Sequence, residues 1–362
     1  MRKILTPVFF CMLFSIVLIS CKKNSDQNNP NASFEKLGDQ LINNITGFAL
    51  NGDPLCRSGN GDVVRWRSAT SDWGRVGDLT NIPSGYFIEA RCEDAQGNFY
   101  GVVINNGNYT LPTGTGNWIK LVLPDIDTIA YGSQEQYDNA PFANNKGDIA
   151  VQTHRIKNGA DHIRIYIKTA GSSTWTIASD RTLDYARIVC LADNGDVFLQ
   201  NKGIPGGGPT VLKAGSNVVI PVADCAGSTI LPYCGSDFGV NPAGDIAFHG
   251  GTRHMYLMKS ATTYPSTAEL VYDIPENTCC FNNGFYYLSD GTALGMANMG
   301  GYDEYFLYIR KSGASNWYKA PSLPSDGGIT VYIKVNAKGE LFTASLDPYA
   351  TNGTGPLFRI HY

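Results

Sequence analysis

Along most of the chain the apolar positions come in short runs of four to eight residues, cut by Gly, Asn, Asp and Pro, and few stretches are rich in strong helix formers. Runs of that length with such boundaries predict β-strands joined by tight turns. One phrase keeps returning, as "EDAQGNFYGV", "ANNKGDIAVQ", "LADNGDVFLQ", "VNPAGDIAFH" and "VNAKGELFTA". Each is a polar turn carrying a glycine, followed at once by an apolar run. Taking that glycine as an anchor gives Gly52, Gly97, Gly147, Gly195, Gly244, Gly291 and Gly339, spaced 45 to 50 residues apart. A near-constant period with strand-like content predicts an all-β, seven-bladed β-propeller.

The third unit shows the expected blade. "APFANN" supplies strand A, the turn leads into "DIAVQT" as strand B, "HIRIYIK" is strand C and "STWTIA" strand D. The sixth unit repeats the back half as "YFLYIRKSGASNWYKA". Trp73, Trp118, Trp175 and Trp317 mark the outer strand of their units, whereas Trp66 lies off the repeat. After Gly339 there is room for "ELFTASL" and "PLFRIHY" but not for a fourth strand. At the other end "FEKLGD" (34–39) echoes "WGRVGD" (73–78). The N-terminal strand 34–39 is therefore expected to complete the last blade and so remove an open sheet edge.

Ahead of the propeller, expected over 34–362, a basic start is followed by "ILTPVFFCMLFSIVLIS" and then Cys21. This resembles a bacterial lipoprotein signal peptide (1–20), in which the cysteine is lipidated and becomes the new N-terminus. The polar segment 21–33 reads as a tether. The resemblance implies an outer-membrane protein held by its lipid, outside the cytoplasm, with the periplasmic or surface side undecided. The formal charge of −4 and the lack of a dense Lys/Arg face argue against a nucleic-acid partner.

The D/N-x-x-G-N/D turn followed by apolar and aromatic residues resembles that of NHL-type and gluconolactonase-type propellers. The outer-strand tryptophan is loosely similar to kelch repeats. The resemblance implies a fold and no particular function, since one fold of this kind hosts hydrolases, lyases, lectins and scaffolds.

Motifs with a fixed chemistry are scarce. There is no G-x-S-x-G turn and no H-E-x-x-H, and "GIPGGGP" lacks the Lys-Ser/Thr of a phosphate loop. His249 and His254 in "HGGTRH" fall short of a zinc set on their own. Of nine cysteines, Cys11 leaves with the signal and Cys21 carries lipid, so an odd number remains and at least one thiol stays free. Cys92 and Cys190 share an offset five residues before their anchors and read as small buried hydrophobes. Cys225 and Cys234 flank one loop and are the best disulfide pair, while the neighbours Cys279 and Cys280 cannot bond each other without strain.

The repeat itself suggests a site. The A–B turns are short and alike, whereas the connections at the other end are long and varied: 124–138 and 224–237 between blades, and 201–208, 249–254, 297–304 and 346–355 within them. Variable loops on a rigid scaffold are where binding usually resides. Eight residues before the anchors stand Asn44, Glu89, Asn139, Arg187, Ser236, Asn283 and Val331, a mostly polar ring at the channel mouth. Arg187 would serve as a forked donor and Glu89 as an acceptor, with Asn139 and Asn283 beside them and Tyr137, Tyr185, His249 and His254 on surrounding loops.

Two readings follow. The first is a non-catalytic, membrane-anchored binding module for a glycan, peptide or protein, with no cofactor. The second is an enzyme, either a lyase or a gluconolactonase-type hydrolase with calcium in the channel, where Glu89, Asn44, Asn139 and Asn283 would converge on the ion. One carboxylate balanced by Arg187 is little negative charge for calcium, which favours the first.

Overall fold

The computed structural model describes residues 32–104, 106–124, 140–157, 160–182, 186–201, 209–222, 238–249, 255–261, 263–264, 266, 269–271, 285–298, 305–321, 329–346 and 353–362. Every element among them is a strand. The first unit comprises β1 (Ser33–Phe48), β2 (Pro54–Ser58), β3 (Val63–Arg67) and β4 (Asp72–Arg75). The second holds β5 (Ile88–Glu93), β6 (Phe99–Val103), β7 (Gly107–Leu111) and β8 (Ile119–Lys120). The third runs β9 (Phe142–Ala143), β10 (Ile149–Lys157), β11 (Ala160–Lys168) and β12 (Thr176–Thr182).

Next come β13 (Ala186–Leu191), β14 (Val197–Asn201), β15 (Pro209–Leu212) and β16 (Val219–Pro221). They are followed by β17 (Phe238–Val240), β18 (Ile246–His249), β19 (Met255–Met258) and β20 (Glu269–Val271). The chain continues through β21 (Phe285–Tyr287), β22 (Ala293–Asn298), β23 (Tyr305–Arg310) and β24 (Tyr318–Lys319), and ends with β25 (Ile329–Val335), β26 (Leu341–Leu346) and β27 (Gly355–His361). Units three to six are separate four-stranded antiparallel sheets, and the remaining strands join in one sheet of eleven. This is the all-β propeller that the repeat predicts. In the third unit strand D starts at Thr176, just beyond the tryptophan expected to lie within it.

All seven anchor glycines sit at positive φ, between 79° and 90°. In each turn the glycine N–H donates to the carbonyl three residues back, as Gly195 does to Ala192 at 2.9 Å and Gly339 to Asn336 at 3.0 Å. The residue at that earlier position in turn donates to the carbonyl just after the glycine, as in Ala192 to Asp196. A side chain at such a φ would crowd its own backbone, so the turn requires glycine.

The acid or amide after the glycine has its own task. Its Oδ1 accepts the backbone N–H at the start of the turn between strands C and D: Ser68 on Asp53, Thr113 on Asn98, Ala170 on Asp148, Ala214 on Asp196 and Ser260 on Asp245, at 2.7 to 3.2 Å. Cations from the end of strand C add a second tie, Arg65 to Asp53, Lys213 to Asp196 and Lys259 to Asp245. The recurring phrase thus pins two neighbouring turns together within each blade.

Between blades, packing is mainly apolar, with a buried Lys168–Asp94 ion pair at 2.7 Å between the second and third units. Ala49, Leu55 and Val63 of the first unit meet Ile88, Ala90 and Trp118 of the second, and equivalent clusters fill the spaces between later neighbours. Hydrogen bonds stitch the turn end: Asn144 Nδ2 donates to Ala192 O at 3.1 Å, Asp193 N to Pro242 O at 2.7 Å, Asn241 Nδ2 to Tyr287 O at 2.8 Å, and Asn336 Nδ2 to Gly52 O at 2.9 Å.

The expected closure is present and longer than 34–39. The first half of β1 pairs antiparallel with β27, from Ser33 opposite His361 to Ile42 opposite Gly355. Its second half pairs with β2. One strand therefore ends one blade and opens the next, with an irregularity between Lys36 and Leu41 and Gly38 at φ 67° marking the crossing. The sequence echo is matched in detail. Leu37 O accepts the indole N–H of Trp73 at 2.9 Å, and its counterpart Val76 O accepts that of Trp118 at 3.0 Å. Trp66, off the repeat, packs edge-on against Trp73 with ring centroids 5.6 Å apart.

Candidate functional site

The first strands of the units converge on an axial cavity of about 330 Å³. Thr46, Arg91, Val189, Val240, Tyr286 and Val335 line its wall, and Ala49, Asn145, Ala243, Ser289 and Ala337 from the A–B turns form its rim. The cavity therefore opens at the turn end, opposite the long connections. β1 and β5 approach so closely here that Phe48 and Cys92 form a parallel bridge. Gly47 permits it: a Cβ at this position would lie 2.0 Å from the carbonyl oxygen of Arg91.

Among the predicted site residues, Glu89 and Arg187 occupy matching places on β5 and β13. Glu89 stands opposite Val102 and Arg187 opposite Gln200, and each strand breaks register just beyond, between Ala90 and Cys92 or Ile188 and Cys190. Glu89 is half-buried and Arg187 exposed. Asn44, in β1, pairs with Arg57 of β2. His249 ends β18 opposite Met255, and Val331 lies within β25. Asn139, Asn283, Ser236, Tyr137, Tyr185, His254, Cys21, Cys225, Cys234, Cys279 and Cys280 lie outside the described residues.

Two residues that the sequence reading passed over complete the axial chemistry. Arg91 lies two residues from Glu89 on the same strand; its Nη2 donates to the Glu89 carboxylate and its Nη1 to the carbonyl of Thr46 at 3.2 Å. Lys334, from β25, is the second. Burial holds its amine below the usual lysine range, the positive charge of Arg91 pushes the same way, and Glu89 pulls against both. The amine of Lys334 makes no hydrogen bond among the described residues. An i, i+2 pair of opposite charge was the available signal for Arg91. Lys334 gave none, because its neighbours come from the far end of the chain.

Glu89, held by Arg91 and facing Lys334, does not suit a divalent cation, which gathers several uncompensated oxygens. Cys56, Cys92 and Cys190 are free and buried, as expected for the latter two. Burial pushes their thiols up, that of Cys190 to about 12, so they are inert at neutral pH.

No protein-family model and no curated protein sequence matches the chain. Solved structures do. YCF48 from Cyanidioschyzon merolae superposes with a TM-score of 0.55 at 13% identity, covering 91% of this chain and 98% of that one. A structure of YCF48 bound to a D1 peptide gives 0.56 at 12% identity, over 92% and 98%. Puromycin hydrolase gives 0.54 at 12% identity, over 86% of this chain and 50% of that one. At such identities what is shared is the propeller fold.

Proposed function

We propose that this protein is a lipoprotein, tethered outside the cytoplasm through Cys21, whose propeller is a non-catalytic binding module. Its partner is a peptide segment or a glycan, engaged at the end from which the long connections emerge. The observation that carries this reading is the asymmetry of the two ends. At one, the five-residue turns are uniform and several are hydrogen-bonded to the next unit. At the other stand the strand ends that long connections join, such as Gln200 opposite Pro209 and Asn298 opposite Tyr305. A surface of varied chain on a rigid frame suits recognition. The peptide-bound YCF48 is a propeller of the same fold that takes a peptide.

The described part of that end already offers contact groups. Tyr86, Phe87 and Ile104 are exposed, with Arg57 stacked over the Phe87 ring at 5.3 Å. Peptide and glycan arrays probed with the detergent-solubilised full-length chain test the reading. Phe87→Ala/Ile104→Ala/Arg187→Ala should melt like the parent, since these side chains are exposed, and lose capture of whatever the arrays reveal. A triple variant that captures as well as the parent overturns the assignment of this end. For the anchor, Cys21→Ala should abolish incorporation of a fatty-acid analogue, and a labelled variant refutes it.

A further inference from the structure

The axial cavity opens away from the surface just proposed, and its chemistry is independent of it. At about 330 Å³ it is at the small end of ligand pockets. Among the described residues β9, β13, β17 and β21 each stand at the end of their sheet with a single strand partner. A strand without a neighbour on one edge presents unpaired N–H and C=O groups there, and here that edge borders the cavity.

The charged groups are unevenly committed. A guanidinium carries five N–H donors. Arg91, on the cavity wall, spends one on Glu89 and one on the carbonyl of Thr46, which leaves a hydrogen on each Nη, while its Nε is shielded from the cavity. Lys334 does not line the cavity but lies behind its wall, close enough to interact electrostatically with Arg91 and Glu89. The acid on the wall, Glu93, is engaged by the N–H of Leu50 at 3.1 Å and by Arg65 at 3.7 Å. Asp53 behind it takes Arg65, Asn51 and the N–H of Ser68. Two cations therefore share Glu89 as their local counter-charge, and a confined, underpaired cation is unfavourable until an anion joins it.

We propose that the cavity binds a small hydroxylated carboxylate. Its carboxylate accepts from the free Nη hydrogens of Arg91, in the field of Lys334 behind the wall, and its hydroxyls meet the open strand edges. A metal ion would confront Arg91 and Lys334, and a neutral sugar would forgo the charge-assisted bonds that are the stronger ones.

Isothermal titration of the detergent-solubilised full-length chain with glucuronate and glycerate tests this, with glucose as the uncharged probe. At least one of the two acids should bind saturably and glucose at least about tenfold more weakly, which is ~1.4 kcal/mol. Lys334→Met removes the second charge, and Arg91→Lys keeps the charge but loses the fork. Each should weaken the acid about tenfold or more. Should Arg91→Lys fail to fold, Lys334→Met and the glucose comparison decide. Equal binding of glucose, parental affinity in Lys334→Met, or no saturable binding of either acid up to about 10 mM overturns the proposal. Array capture by the opposite end should be unaffected in these variants, so failure here is separable from failure of the surface assignment.

Discussion

Asp196 shows how much one position of the repeat can hold. It is 1% exposed, accepts the N–H of Ala214 at 2.9 Å and pairs with Lys213 at 2.6 Å. Removing its side chain leaves a backbone donor without its partner and a half-buried amine without its counter-ion. A lost bond of this kind costs about 1–3 kcal/mol. Unit two shows which atom matters, because Asn98 performs the same service for Thr113 at 2.9 Å with no charge. Asp196→Ala should therefore lower the melting temperature by several degrees, at roughly 2–4 °C per kcal/mol for a chain of this size. Asp196→Asn should cost less than half as much. Equal losses in the two variants, read by thermal denaturation, would assign the stabilisation to charge and not to the pinned amide.

Elements of the blade were legible in the sequence wherever the physics is local. The turn phrase prescribes a left-handed glycine, an acceptor behind it and an apolar strand ahead, and each lies within a few residues of the others. The echo of 73–78 in 34–39 was legible for the same reason: both stretches carry a carbonyl that receives a tryptophan N–H from the next unit. The axial contacts were not legible, because they join strands far apart in the chain. Lys334 acquires its surroundings only when the ring closes, and Gly47 reads as an ordinary glycine until β5 is laid against it. Gly47→Ala should force β1 and β5 apart, since the new Cβ would sit 2.0 Å from Arg91 O. Overpacking of well-fitted contacts costs about 1–3 kcal/mol, occasionally more. Gly116→Ala is the control, with nothing within 4 Å of its Cβ and no positive φ. Calorimetry should separate the two. A Gly47→Ala chain as stable as Gly116→Ala would mean that the β1–β5 approach is looser than the parallel bridge implies.

At the scale of the whole molecule, a ring of blades stands or falls on its last joint. Here the joint is a strand from the N-terminus laid on a strand from the C-terminus, with Phe34 packing edge-on against Phe358 at 6.4 Å and Arg359 and His361 both reaching Glu35. Leu37, 1% exposed, lies in the core shared by the last unit and the first, together with Trp66, Phe342 and Leu357. Deleting residues 31–41 removes that side chain, bares the outer edge of β27 and takes away the carbonyl that Trp73 uses. Loss of one buried leucine alone costs about 2–5 kcal/mol, and an exposed apolar strand edge also invites association. The deletion should therefore lower the melting temperature by ten degrees or more, on the order of 5 kcal/mol at 2–4 °C each, and produce aggregates on heating. A peptide spanning 31–41, added in excess, should restore part of the loss by mass action, because it binds the folded ring and not the unfolded chain. An unchanged melting temperature in the truncated protein would show that the ring is held by its inter-blade cores alone. Failure of the peptide to rescue a destabilised ring would show that the strand must be covalently continuous with β2, so that closure depends on its crossing at Gly38 as much as on its pairing with β27.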